Sequence, residues 1–418
     1  MQTILFLVTG FPPDISGVSL FNWERAVWLS QQSSYRVVVM APDWQTTDRQ
    51  YAETPVNSNL IIETYPSKPW LPYKLTHVPK YSATSVIEER IAFHQPDLIV
   101  VTDAERLFLL STWQLPGKTY ARKQGIPFIA EYHTDLYNFS AAYPGWQWLR
   151  SIVRATKLTS HLYRQFDLTL CTSQAAELSC LEMGIKNVQT VPFLGVETAS
   201  YSPNLRDRSV LNSWLSAKEM DNTVLLFLGR LGYEKRVDLL IEAFQRLSQK
   251  AVQFSLLIVG DGPNEVVTKL QAQAAMIKNI HFTGFLLGEQ KAKVLAACDI
   301  FCSPSPYETF GRTIVEAMAS GLPIVTVASG AVAEYIQQGV NGYLVPAEDA
   351  TALAEMIEQI ATQPQASVTQ QALAGAQQFS IEQGCQQLAD FYRKLIHSQS
   401  GSSTSIDSHD RIPTPQGS

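Results

Sequence analysis

Hydrophobic positions fall into short runs rich in Val, Ile and Leu without a polar residue in every second place: "TILFLVT", "YRVVVMA", "PDLIVVT", "IPFIAEYH" and "FDLTLCTS" in the first half. Stretches with helical spacing separate them, such as Val18 to Ser30 and Ser82 to Phe93. Strands covered on both faces by crossover helices carry this pattern, because neither face of their sheet meets water. The alternation starts afresh in the second half with "TVLLFLGR", "FSLLIVGDG", "NIHFTG", "DIFCSPS", "LPIVTV" and "NGYLVP". The pattern predicts an α/β chain of two doubly wound, Rossmann-like domains.

Between the two series, "VPFLGVETASYSPNLRDRS" (Val191 to Ser209) replaces the strand pattern with proline, glycine and small polar residues, which puts the boundary near Gly195. The expected domains are therefore 1–195 and 196–377. After Pro346, "EDATALAEMIEQIATQ" and "SIEQGCQQLADFYRKLIH" read as amphipathic helices; the second, within 378–397, is long enough to lie back over the first domain. Residues 398–418 are Ser, Gly, Pro and Asp with almost no apolar side chain, the composition of a disordered tail. A chain of 418 residues suits two cores better than one.

Composition narrows the functional classes. Apolar and charged fractions of 45% and 17% exclude a collagenous, largely disordered or disulfide-built chain. Cys171, Cys180, Cys298, Cys302 and Cys385 are odd in number and lack zinc-ribbon or thioredoxin spacing, so reduced, mostly buried thiols and a cytoplasmic chain are expected. The apolar run in "MQTILFLVTGFPP" is too short to span a bilayer, and the first basic residue is Arg25, so that run reads as a strand rather than a signal peptide. A net charge of -6 argues against nucleic acid as a partner of the whole molecule.

Open parallel sheets bind ligands beyond the carboxyl ends of their strands, and two in tandem offer a cleft, so candidate chemistry is sought in the loops after strands. "GRLGYEKRVDLL" follows one strand and supplies Arg230, Lys235 and Arg236 around two glycines. Cations beside a flexible backbone suit an anionic group, Arg as a fork and Lys as a point charge; a solvated basic loop is the alternative. "VGDGPNEV" ends the next strand, and a turn requiring positive φ accounts for both its glycines, with Pro263 opening a helix. "SPYETFGRTIVEAMASGLP" places a loop through Glu308 to Gly311 before a helix from about Arg312 to Ser320. Amides of Phe310, Gly311, Arg312 and Thr313 then lie at the positive end of that helix, where a diphosphate fits. Glu308 and Glu316 are acceptors only and suit sugar or ribose hydroxyls. The structural alternatives are a capping role for Glu308 and an i, i+4 pair between Glu316 and Arg312.

In the first half, "TGFPPDISGVSLFNWERA" is a strand end, a proline-bearing loop and a helix start at Gly17; "AEYHTDLYNF" puts His133 at a strand end, where a packing role competes with a chemical one. Residues 141–166 hold Arg150, Arg154, Lys157 and Arg164 but no acidic residue, with Trp146 and Trp148 among apolar residues at helical intervals. Such a helix suits either a core with a solvated basic edge or peripheral contact with an anionic membrane.

Taken in order, the loop containing Gly17, "EYHT", "GRLGYEK", "VGDGP", "FTGFLLGE", "SPYETFGRTIVEAMASGLP" and "NGYLVP" resemble the family-4 retaining glycosyltransferases (glycosyl transferases group 1) of the GT-B fold. Members that build glycolipids, sulfoquinovosyl- and mannosyl-transferases among them, look most similar. The resemblance implies two Rossmann-like domains facing an interdomain cleft and a nucleotide-diphosphate sugar as donor. It implies that Arg230 and Lys235 neutralise the leaving diphosphate beside the amides of Phe310 and Gly311, with Arg312 opening the helix. Glu308 is expected to hold donor-sugar hydroxyls, Glu316 the ribose, and the chain at Phe285 and Leu286 the base. His133 is expected by the sugar, and Gly17 by the phosphates, although Ser16 stands where many relatives have a second glycine. No Asp-x-Asp motif occurs in the sequence, so neither metal nor cofactor is expected. The expected activity is retaining transfer to an acceptor hydroxyl, the acceptor being a membrane lipid or a lipid-linked glycan. The location expected is cytoplasmic, with the membrane's cytoplasmic face as a peripheral contact. A catalytically silent nucleotide-sugar-binding or scaffold protein on the same fold is the competing reading.

Overall fold

A computed structural model describes residues 1–14, 16–44, 57–69, 77–108, 113–133, 142–143, 145, 157–191 and 195–400, side chains of 399 and 400 excepted. The chain divides into two compact units, one from Met1–Thr134, Arg154–Leu194 and Glu382–Ser418, the other from Asp135–Val153 and Gly195–Ile381.

The first unit is built on strands β1 (Gln2–Leu7), β2 (Tyr35–Pro42), β3 (Leu60–Tyr65), β6 (Leu98–Thr102), β7 (Phe128–Tyr132), β8 (Leu168–Cys171) and β9 (Val188–Thr190), with β4 (Ser67–Pro69) and β5 (His77–Pro79) forming a small antiparallel pair. The seven-stranded sheet runs β3-β2-β1-β6-β7-β8-β9, and its pairs are parallel. In β1 the run Ile4 to Leu7, and in β6 the run Leu98 to Val101, are apolar and buried, as expected for strands covered on both faces. Leu5, Leu7, Val38, Ile99, Val101 and Ala130 form the centre of this core. The order reverses on either side of β1, so the loops after β1 and β6 part there and leave room for a ligand. The helix Gly17–Gln31 follows β1 and is capped by Ser16, whose side chain accepts from the Ser19 amide at 3.3 Å. The long helix Ile381–Ser400 packs into this unit through Ala389, whose carbonyl accepts from Tyr35 Oη at 2.9 Å.

The second unit has β10 (Thr223–Leu228), β11 (Phe254–Val259), β12 (Ile280–Gly284), β13 (Ile300–Ser303), β14 (Ile324–Val327) and β15 (Tyr343–Val345), all parallel, in the order β12-β11-β10-β13-β14-β15. Leu225, Phe227, Leu240, Phe244, Leu256 and Ile258 fill its core against the helix Val237–Leu247. Here the reversal falls between β10 and β13, so the loops carrying Arg230 and Glu308 leave the carboxyl ends of two adjacent strands.

Several expectations are revised. The interval 141–166 is not one continuous helix: Lys157 is exposed, has φ 50°, and caps a short helix that begins at Leu158. Trp146, Trp148, Arg150 and Arg154 lie outside the described residues. Of the "VGDG" glycines only Gly260 has positive φ; Gly262 is required because a Cβ there would strike the Leu231 carbonyl. β3 and the helix Ala366–Gln377 escaped the pattern reading, the latter because "ASVTQQALAGAQ" has few large apolar side chains to reveal a face. No helix among the described residues is long and apolar enough to cross a membrane. All five cysteines are buried, and none is in a disulfide.

Candidate donor-binding site

Leaving β10, the chain turns through a short 3-10 segment, Tyr233–Lys235, before the helix Val237–Leu247. Glu234 points inward and organises that turn. Its carboxylate accepts from Arg230 Nη2 and from Tyr143 Oη, each at 2.7 Å, and its carbonyl accepts from Ser305 Oγ at 3.0 Å. Burial alone raises a carboxyl pKa, but Arg230 and Lys235 outweigh it here, and Glu234 is held below its ordinary value. Arg230, with a side chain 40% exposed, is thus fixed through its guanidinium nitrogen Nη2.

Lys235 reaches across to the loop after β13 and donates to Glu308 Oε1 at 2.6 Å. Glu308 does not hold the cap position of the following helix: that position is Gly311, at φ 82°, and it makes no side-chain capping hydrogen bond. A Cβ at Gly311 would meet Tyr335 Oη at 2.8 Å, and that hydroxyl already donates to the Phe310 carbonyl at 2.7 Å. The helix Arg312–Ala319 begins with the Ile314 and Val315 amides donating to the Gly311 carbonyl at 2.9 and 3.2 Å. The amides ahead of them have no intrahelical acceptor, and the helix dipole adds about half a positive charge there. Phe310 itself is buried against Tyr335 and Phe379.

The i, i+4 pair between Glu316 and Arg312 does not form. Arg312 Nη1 donates to the Gly195 carbonyl at 2.7 Å, and Glu316 Oε1 accepts from Lys291 Nζ at 2.9 Å. Glu316 is buried, and its second oxygen, Oε2, has no hydrogen-bond partner among the described residues. A buried carboxylate oxygen without a donor is costly, so a hydroxyl presented there gains most of what water lost. After β12, Phe285 is 39% exposed whereas Leu286 is buried, so of the two side chains only Phe285 offers an open aromatic face.

In the first unit, the loop after β1 is tied by Asp14, whose Oδ1 accepts from the Ser16 amide and whose Oδ2 accepts from Ser16 Oγ, each at 2.9 Å. Ser16 therefore does structural work that a second glycine cannot, and Gly17 opens the helix behind it. His133 follows β7, buried, with Nε2 3.1 Å from Glu131 Oε2 and its ring 5.8 Å from that of Phe21. Glu131 and Glu234 were not singled out from sequence. The signal was present for Glu131, an acidic residue inside the apolar run "IPFIAEYH", whereas Glu234 sits among other charges and looks solvated.

Two family models match in tandem: Glycosyltransferase Family 4 over residues 15–197 and Glycosyl transferases group 1 over residues 212–374. The chain is 27% identical over 352 residues to a GDP-mannose-dependent alpha-mannosyltransferase of Mycobacterium tuberculosis, covering 82% of this chain and 83% of that one. It is 28% identical over 336 residues to the alpha-monoglucosyldiacylglycerol synthase of Streptococcus pneumoniae, covering 78% and 70%. In structure it is similar to HepE of Anabaena, solved with UDP and glucose, at a TM-score of 0.72 and 22% identity over 94% of this chain and 100% of that one. With parallel sheets in two Rossmann-like units and motif residues at the strand ends, the chain belongs to the family-4, group 1 glycosyltransferases of the GT-B fold.

Proposed function

We propose that this glycosyltransferase is a metal-independent, retaining hexosyltransferase that moves a sugar from a UDP- or GDP-linked donor to a hydroxyl of a membrane lipid or lipid-linked glycan. The observation that carries the donor assignment is Glu316, buried with one oxygen committed to Lys291 and the other without a donor among the described residues, one turn into a helix whose amino end suits phosphate. Lys235 and Glu308 neutralise each other until a diphosphate sugar offers phosphate to the one and hydroxyls to the other. Arg230, held by Glu234, takes the outer phosphate oxygens. Phe285 stacks on the base. By the family resemblance, His133 serves the sugar and Gly17 the phosphates.

In the transfer step the anomeric C–O bond breaks with its electron pair going to phosphate, and charge grows on the diphosphate. Arg230, Lys235 and the helix amides stabilise that charge, each preorganised donor contributing about 3 kcal/mol, or roughly a hundredfold in rate. The acceptor oxygen bonds to the anomeric carbon on the face the phosphate leaves, and the acceptor proton passes to the departing phosphate. The relative that makes a glucosyldiacylglycerol supports the lipid acceptor. The basic, aromatic residues Trp146, Trp148, Arg150, Arg154 and Lys157 are the proposed contact with the cytoplasmic face of an anionic membrane.

The test is turnover of UDP-glucose and GDP-mannose with and without EDTA, with the anomer of the product read by NMR. Arg230→Ala and Lys235→Ala are expected to lower turnover about a hundredfold, far more than the stability lost by leaving Glu234 or Glu308 without its cation accounts for. Binding of both donors without hydrolysis or transfer would leave a scaffold, and an inverted product or loss of turnover in EDTA would overturn the mechanism. Sedimentation with anionic and neutral liposomes tests the membrane contact, which Arg150→Glu with Arg154→Glu is expected to abolish.

A further inference from the structure

We infer that Arg25 is a positioning residue that sets both the loop leading to Gly17 and the ring of His133, and that Tyr392 on the carboxyl-terminal helix locks it in place. One continuous set of hydrogen bonds carries the inference. Asn22 Nδ2 donates to the Gly10 carbonyl at 2.8 Å, and Asn22 Oδ1 accepts from Arg25 Nη2 at 2.7 Å. Arg25 Nη1 donates to both oxygens of Glu131 at 2.6 Å. Glu131 Oε1 also accepts from Tyr392 Oη at 2.8 Å, while Oε2 lies 3.1 Å from His133 Nε2. The set thus runs from the glycine loop to His133 through one guanidinium, and residues as far apart as 131 and 392 meet on one carboxylate.

Its surroundings leave the set little freedom. The Arg25 and Glu131 side chains are 0% exposed, and the guanidinium lies 4.2 Å from the Phe6 ring centroid and 5.0 Å from that of Phe21. Phe21 also flanks His133, so the imidazole is gripped by a carboxylate and by an aromatic ring on the helix that Gly17 opens. A buried ion pair contributes little net stability over an apolar replacement of the same shape; what this one supplies is a fixed geometry. Burial pushes Glu131 up, but Arg25 and His133 more than offset it and bring its pKa down to about 2, so the group stays ionised and accepts only. An acceptor facing Nε2 requires the proton on that nitrogen, which fixes the His133 tautomer as well as its orientation.

The inference rests on the reading that His133 and Gly17 serve the donor. Its test uses the full chain with Tyr392→Phe, which removes one hydroxyl at constant shape, and Arg25→Lys, which removes the fork. The first readout is the His133 ring in nitrogen-15 NMR, identified by its loss in His133→Gln. The second is kcat and KM for whichever of UDP-glucose and GDP-mannose the wild type turns over. Tyr392→Phe is expected to shift or broaden the Nε2–H signal and to lower kcat about tenfold, with donor KM within about twofold. Arg25→Lys is expected to do more of both; should it not fold, Tyr392→Phe decides. A lowered melting temperature with unchanged ring signals and kcat overturns the inference and leaves a merely structural pair. If the wild type turns over neither donor, the functional reading fails, and the ring signals alone decide whether Tyr392 positions His133.

Discussion

Gly330→Ala separates the placement of Glu308 from the stability of the unit around it. Gly330 has φ 59°, the left-handed region, and a Cβ built on it lies 2.5 Å from the Glu308 carbonyl oxygen. The Ala331 amide donates to that same carbonyl at 3.1 Å, so the 330 turn is the surface against which the Glu308 loop rests. Real Cβ contacts essentially never fall below 3.0 Å, and in close-packed surroundings the loop must therefore yield by about half an ångström. The backbone conformation itself costs an alanine about 1–2 kcal/mol, or roughly 2–8 °C in melting temperature for a unit of this size. Since a misplacement of about 1 Å can cost a hundredfold in rate, half of that predicts roughly a tenfold fall in kcat. Gly339→Ala is the control: it has φ 71° but nothing within 4 Å of the added Cβ, so it carries the backbone cost without the displacement. The assay is donor turnover beside thermal unfolding for both variants. Equal losses of melting temperature accompanied by equal kcat values would refute the claim that the 330 turn positions Glu308.

Three further outcomes follow from buried charges. Glu105 is buried, and burial, aided by Asp103 and opposed by Tyr163, raises its pKa to about 7. Between about pH 4.5 and 7 the folded chain keeps a proton that the unfolded chain has released, so this group's contribution falls as pH rises through that window and is flat above it. Glu105→Gln should therefore add up to about 3 kcal/mol at pH 8 and nothing near pH 4; parallel urea-unfolding stabilities across that range would contradict the assignment. Lys291→Met strands the buried Glu316 carboxylate and is expected to cost about 2–3 kcal/mol, most of it recovered in the double variant with Glu316→Gln; strictly additive unfolding energies would show that the pair is not coupled. Glu234→Gln weakens the hold on Arg230 and should lower kcat about tenfold, with Tyr143→Phe milder; a Glu234→Gln enzyme at wild-type kcat would dismiss Glu234 as the anchor of Arg230.

Residues that bond to neighbours in sequence or follow directly from a strand end were readable before any coordinates. The Glu308–Gly311 turn and the helix at Arg312 are one case, since a glycine before a run of helix formers announces the start. What the sequence left open or misread involves partners supplied from afar. For Glu316 a pair with Arg312, one turn earlier on its own helix, stood as the alternative to a role toward hydroxyls; the helix turns Arg312 toward Gly195 and brings Lys291 in from the preceding helix. Gly262 looks like a turn glycine, and it is the neighbouring Leu231 carbonyl that demands it. Lys157 continues a helical run on paper but is left-handed in the fold, where it starts a new helix.

Sequence by itself determined the two parallel sheets and the strand-end positions of the family motifs, because strand burial, helix amphipathicity and glycine turns are written in residues a few places apart. Only the tertiary structure decided which charges meet: Arg25 with Glu131, Tyr392 with the same carboxylate, Lys235 with Glu308, and Glu234 with both Arg230 and Tyr143. Such pairs are set by packing between elements dozens to hundreds of residues apart, and desolvation makes each buried charge find a partner wherever the fold brings one.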